Sequence, residues 1–144
     1  MPSASHTEVF NCGPPEFFKL VCDYEKYPEF LQEVKECKTI RTEAGRKLVE
    51  FKVSVIKSFS YQLWMAEKEP LQVTWSFASG DIFKTSDGSW KLSELPGGKT
   101  RADYSVEATF GLFVPGPIAK TLLSVNLPSM MSAYHKRVKE KYGK

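Results

Sequence analysis

Histidine is almost missing from this chain, and cysteine is scarce. There are two histidines, His6 and His135, and three cysteines, Cys12, Cys22 and Cys37. An odd cysteine count without C-x-x-C spacing argues against a disulfide framework or a zinc site and fits reduced thiols in a cytoplasmic setting. His6 precedes the first strand candidate and His135 begins a basic tail; neither has a sequence neighbour that suggests a pair, so both read as surface residues. No Ser-His-Asp grouping, His/Cys ligand spacing or Gly-rich phosphate loop can be assembled. The sequence therefore singles out no catalytic residue, metal ligand or cofactor. Long apolar runs are also lacking: none approaches the roughly 18 residues that a membrane span requires. Residues 1–10 (MPSASHTEVF) show neither the basic nor the apolar region of a signal peptide. A soluble, cytoplasmic protein is expected, with any membrane contact peripheral.

What the chain does have is aromatic side chains and an uneven charge. Aromatics make up 13% of 144 residues, hydrophobic residues 42% and charged residues 26%, with a net charge of +3. Residues 135–144 carry Lys136, Arg137, Lys139, Lys141 and Lys144 against Glu140, five cations to one anion. Residues 8–36 hold seven acidic and three basic side chains, the opposite sign. A basic tail suits an anionic partner, but cations also favour the negative C-terminal end of a helix dipole. One domain over 1–144 accounts for the length, with residues 1–5 expected to be disordered.

Residues 6–11 read as a short strand, which Gly13-Pro14-Pro15 ends. Short helices follow at 16–23 and 24–31, Pro28 sitting near the start of the second. From 33 to 113 the apolar period becomes two, the signature of half-buried strands. Val49, Phe51, Val53 and Val55 alternate with polar residues; so do Leu71, Val73, Trp75 and Phe77, and so do Tyr104, Val106, Ala108, Phe110 and Leu112. Weaker alternation covers 34–42, 60–68 and 90–94. Breaks at Gly45, Glu69-Pro70, Asp87-Gly88 and Gly97-Gly98 are short, which favours antiparallel neighbours. After Pro115-Gly116-Pro117 a helix is expected to about Tyr142, with an apolar stripe of Leu123, Leu127, Met130, Met131, Tyr134 and Val138 and a kink or break at Pro128.

These elements predict an α+β helix-grip fold: an antiparallel six- to seven-stranded sheet curled around a long C-terminal helix, with two short helices after the first strand. The inward strand positions are Phe51, Val53, Tyr61, Leu63, Met65, Trp75, Phe77, Trp90, Tyr104 and Val106. Phe30 joins them from the second short helix, and Leu123, Asn126, Leu127, Met130, Met131 and Tyr134 from the long one. Rings that do not interdigitate, together with flexible methionines, suit an apolar pocket. Tyr61, Tyr104, Asn126 and Tyr134 would supply its polar groups. Periodicity alone does not separate a hollow core from a packed one.

The stretch Val21-Cys22-Asp23-Tyr24-Glu25-Lys26-Tyr27-Pro28-Glu29-Phe30-Leu31 resembles the D-x-E-x-Y-P-E-F segment of the coenzyme Q-binding family. That family lies within the polyketide cyclase/START-like (SRPBCC) superfamily, which also holds ribosome-association toxins. Gly80-Asp81-Ile82-Phe83, then Trp90, and the ending Leu127-x-x-Met130-Met131-x-x-Tyr134-His135-x-Arg137 extend the resemblance over residues 6–138. It implies a β-α-α-β6-α order and a cavity for a quinone, isoprenoid or other lipid. The expected function is binding and carriage of such a ligand. One alternative is a ribosome-association or other macromolecular interaction module that uses the basic helix end; another is a polyketide cyclase or aromatase. No DNA partner is expected.

Overall fold

The computed structural model describes residues 3–55, 57–80, 82–111, 114–120 and 127–143, with the side chains of Val55 and Lys57 left out. Strand β1 (Ser3–Phe10) is followed by helix α1 (Pro14–Cys22) and a 3-10 helix, Tyr24–Glu29. Six strands succeed them: β2 (Val34–Glu43), β3 (Arg46–Val55), β4 (Lys57–Lys68), β5 (Gln72–Gly80), β6 (Phe83–Leu95) and β7 (Lys99–Phe110). A short helix α2 (Gly116–Lys120) and the longer α3 (Leu127–Tyr142) complete the described elements. The strands form one antiparallel sheet in the order β1-β7-β6-β5-β4-β3-β2. This is the curled seven-stranded α+β arrangement anticipated from the alternation.

Local chemistry explains the helix starts. Pro14 and Pro15 occupy the first turn of α1, where a missing N–H costs nothing, and the Glu16 carboxylate accepts from the Gly13 N–H at 3.0 Å. Phe17, Phe18, Leu20 and Val21 are then buried on the sheet side. Pro128, where a kink or break is expected, is the second described residue of α3. The expected continuation through Leu123 and Asn126 lies outside the described residues.

Several sequence expectations need correcting. β1 begins at Ser3 because its pairing with β7 runs on to Ser3↔Glu107, so His6 and residues 3–5 belong to the strand. Leu71 is not on the inward face; it lies in the turn before β5 and is exposed. Asp87-Gly88 is no break either. β6 passes straight through it, because Gly88 lets the Trp75 ring of the neighbouring strand lie against the backbone. A Cβ at Gly88 would stand 2.3 Å from Trp75 Cζ2. Gly97 and Gly98, both with positive φ, do make the β6–β7 turn.

A cavity between the sheet and the last helix

One end of the interior is solid. Phe10 and Phe17 stack at 4.3 Å, and Phe17, Trp90, Phe30 and Tyr134 meet edge-on or tilted at 5.2–5.7 Å. Tyr134 is the hub, carried there by α3. At the other end most ring contacts stay within the sheet, with Tyr61 and Phe83 meeting at 5.0 Å from β4 and β6 and Tyr27 of the 3-10 helix reaching Phe51 at 6.3 Å. Phe51 stacks on Tyr61 at 5.3 Å, Phe83 meets Phe110 at 5.2 Å, and Trp75 meets Tyr104 at 5.8 Å. Phe51↔Tyr61 and Phe83↔Phe110 are directly opposed cross-strand partners, which sets their rings side by side.

This leaves a cavity of about 180 Å³. Its wall includes twelve of the positions read from the sequence: Phe51, Val53, Tyr61, Leu63, Met65, Trp75, Trp90, Tyr104 and Val106 from strands, and Leu127, Met130 and Tyr134 from α3. Three others lie elsewhere. Met131 is buried in the core away from the cavity. Phe77 is half-buried near Phe83, ring centroids 6.4 Å apart, and Phe30 borders a separate cleft with Arg137 above its ring. Leu123 and Asn126 fall outside the described residues.

The wall also holds residues outside that candidate set, of which Ala108 and Phe110 are read from the sequence only as the apolar face of the last strand. Val21, Tyr27 and Leu31 come from the helical segments, Glu33 and Val34 from the entry into β2, and Phe83, Ser86, Ala108 and Phe110 from β6 and β7. Ala108 and Phe110 share the parity of Tyr104 and Val106, and Ser86 that of Trp90, so alternation held the signal for these three. Phe83 breaks parity because the β6–β7 register shifts between Phe83 and Thr85. Glu33 sits in a turn, where no period marks it.

Among the described residues, the polar side-chain groups of the wall are tyrosine hydroxyls, the Ser86 hydroxyl, the indole N–H groups of Trp75 and Trp90 and one carboxylate. Tyr27 donates to the Val21 carbonyl. Burial pushes the Tyr61 and Tyr134 hydroxyls well above the ordinary tyrosine value, and that of Tyr104 to about 12. They remain protonated and act as hydrogen-bond partners rather than bases. The negative charge of Glu33 adds a lesser upward push at both Tyr61 and Tyr134. Burial likewise raises the Cys22 and Cys37 thiols to about 12.

No histidine is on the wall; both converge elsewhere. His6 Nε2 lies 2.8 Å from Glu8 Oε1 and His135 Nε2 lies 2.5 Å from Glu8 Oε2. This corrects the expectation that neither has a partner. The carboxylate on β1 accepts from both rings, tying α3 to the edge strand, and these two hydrogen bonds hold Glu8 below the usual carboxylate value. Nearby, Arg137 pairs with Glu29 at 2.9 Å. Among the described residues no His, Cys, Asp and Glu group is arranged to hold a metal, and no helix is long and apolar enough to cross a membrane.

Comparison with known proteins gives a consistent result. Residues 13–134 match the family model described as polyketide cyclase / dehydrase and lipid transport. No curated protein matches the sequence. A START superfamily protein from Mycobacterium smegmatis superposes with a TM-score of 0.84 at 22% identity, over 96% of this chain and 97% of that one. A STAR-related lipid transfer protein from Xanthomonas axonopodis gives 0.73 at 11% identity, over 95% and 85%. An aromatase/cyclase from Streptomyces sp. R1128 gives 0.70 at 13% identity, over 94% and 85%. At such identities these three similarities speak for the fold alone.

Proposed function

The chain belongs to the polyketide cyclase / dehydrase and lipid transport family, and on that premise we propose that it binds and carries a hydrophobic small molecule, a quinone, isoprenoid or other lipid, between the sheet and α3. The observation that carries this reading is the cavity of about 180 Å³, walled by aromatic rings and methionines from both sides. An apolar cavity of about 150 Å³ is enough to admit benzene. This one holds a one- or two-ring body, and a longer chain would extend beyond it. Its wall has one carboxylate, no histidine among the described residues, and tyrosines held neutral by burial. That favours holding a ligand over transforming one, since proton transfer needs a group poised near the working pH.

Native mass spectrometry of gently desalted protein tests for a retained apolar molecule. Phe51→Ala and Trp75→Ala each remove a ring from the wall and should weaken binding of a polyaromatic probe about tenfold or more, by the ~3 kcal/mol scale of large aromatic truncations. Unchanged binding in both variants would overturn the cavity assignment.

One observation favours the macromolecular reading as a second possibility. Lys19 and Lys26 join Arg137 and Lys141 around a cleft between α1, the 3-10 helix and α3. Ribosome association through these cations would weaken steeply with ionic strength, whereas cavity binding would barely respond.

A further inference from the structure

Among the described residues, Glu33 is the one carboxylate on a wall otherwise made of apolar, hydroxyl and indole groups. It is half-buried in the turn before β2, and that turn is fixed: the Ser54 N–H donates to the Glu33 carbonyl at 2.8 Å, and the Val34 N–H donates to Leu31 at 3.1 Å. The backbone is therefore pinned at the end of β3, beside the cavity residue Val53. Among the described residues, no hydrogen bond or ion pair engages its carboxylate, although ten ion pairs are found elsewhere on the molecule, including those at Glu8, Glu29, Glu36, Glu50 and Glu67. The acceptor is open to water or to a ligand in the cavity.

A carboxylate accepts hydrogen bonds and does not donate them, while Ser86, Tyr61 and Tyr104 hydroxyls can do either. The hydroxyls adapt to any ligand; Glu33 does not. A carbonyl or ether oxygen set against it would meet like partial charge and lose its own hydration without replacement. A hydroxyl set there would form a charge-assisted bond, about twice as strong as a neutral one.

We propose that Glu33 selects the ligand's polar end: the cavity takes a hydrophobic molecule carrying a hydrogen-bond donor, a phenol or alcohol, in preference to its acceptor-only ketone, quinone or ether counterpart. This rests on the cavity-binding reading above and narrows its ligand class. Of a quinone and its reduced dihydroxy form, the reduced form fits.

The test uses the full chain and two probes with the same two rings, 2-naphthol and 2-methoxynaphthalene, with dissociation constants from isothermal titration calorimetry at pH 7. The wild-type preference for the naphthol is compared with that of Glu33→Gln and Glu33→Leu, so differences in probe size and hydrophobicity cancel. Removing one such interaction should reduce the preference about tenfold, the effect of leaving a single polar group unmatched. The Gln variant, whose amide supplies a donor, should gain affinity for the ether. The same preference in all three proteins overturns the inference while leaving cavity binding intact. If neither probe binds the wild type, while circular dichroism shows it folded, the cavity reading falls and this inference with it.

Discussion

Filling the cavity from its own wall separates a hollow interior from a packed one by the sign of a single measurement. Ala108 on β7 lies on the cavity wall opposite Ser86, buried to 1% exposure. Ala108→Ile adds three carbons at a position where a β-branched residue suits the strand. In a close-packed core those atoms force neighbours off their rotamers and cost about 1–3 kcal/mol. Next to a void they are simply removed from water, worth roughly 0.8 kcal/mol each, less about 0.5–1 kcal/mol of side-chain entropy. The expected gain is about 1.5 kcal/mol. It stays below the ceiling of about 4 kcal/mol obtained by applying ~24 cal/mol per Å³ to 180 Å³. For a chain of 144 residues it raises the melting temperature by about 5 °C. Differential scanning calorimetry reads the stability and probe titration reads the site: the variant should melt higher and bind 2-naphthol more weakly. A lower melting temperature with unchanged probe binding would show that Ala108 faces packed atoms and not a void.

Two other perturbations probe how the walls are held. Glu8 is kept below its ordinary value of 4.5 first by the hydrogen bond from His6 and then by that from His135. Its contribution is therefore present above the unfolded value and is lost as pH falls through the lower folded one. Glu8→Gln should flatten the decline in melting temperature below about pH 4.5, and an identical acid limb in wild type and variant would mean the carboxylate does not tie α3 to β1. Gly88→Ala would place a methyl 2.3 Å from Trp75 Cζ2 and 2.6 Å from the Ser105 carbonyl oxygen. It should lower stability by about 1–3 kcal/mol in urea unfolding and alter tryptophan emission; wild-type stability would show that the ring does not lie on the β6 backbone.

Strand parity was the most legible feature of the sequence, because one face of each strand is buried and a period of two is unambiguous there. It located Phe51, Val53, Tyr61, Leu63, Met65, Trp75, Tyr104 and Val106 on one wall. It failed where the ladder slips. Register shifts between Val34 and Glu36, Thr39 and Arg41, and Phe83 and Thr85 each move the following residues to the other face. Glycine also misled: Gly88 looks like a turn signal, yet it marks a close approach inside β6. The Glu8 cluster was out of reach, since Glu8 and His135 are 127 positions apart and the motif that contains His135 says nothing of Glu8. Glu33 was hidden for a different reason. It reads as one more surface acid in a stretch already rich in them, and only the turn that holds it reveals what it faces.

Why the interior stays hollow at one end follows from where the rings find partners. At the β1–α1 end, Phe10, Phe17, Trp90 and Tyr134 come from four different elements, so their edges and faces meet across the interior. At the other end Phe51 is matched to Tyr61, and Phe83 to Phe110, on adjacent strands. These rings, together with the Tyr61–Phe83 contact at 5.0 Å between β4 and β6, satisfy one another within the curled sheet, and among the described residues only Phe51 also meets a helical ring, that of Tyr27 at 6.3 Å. The described part of α3 offers Leu127 and Met130 to that space, flexible side chains rather than rings. A cavity is what such an arrangement leaves, and the Glu33 carboxylate on its wall, unpaired among the described residues, gives it a polarity that its apolar lining alone would not.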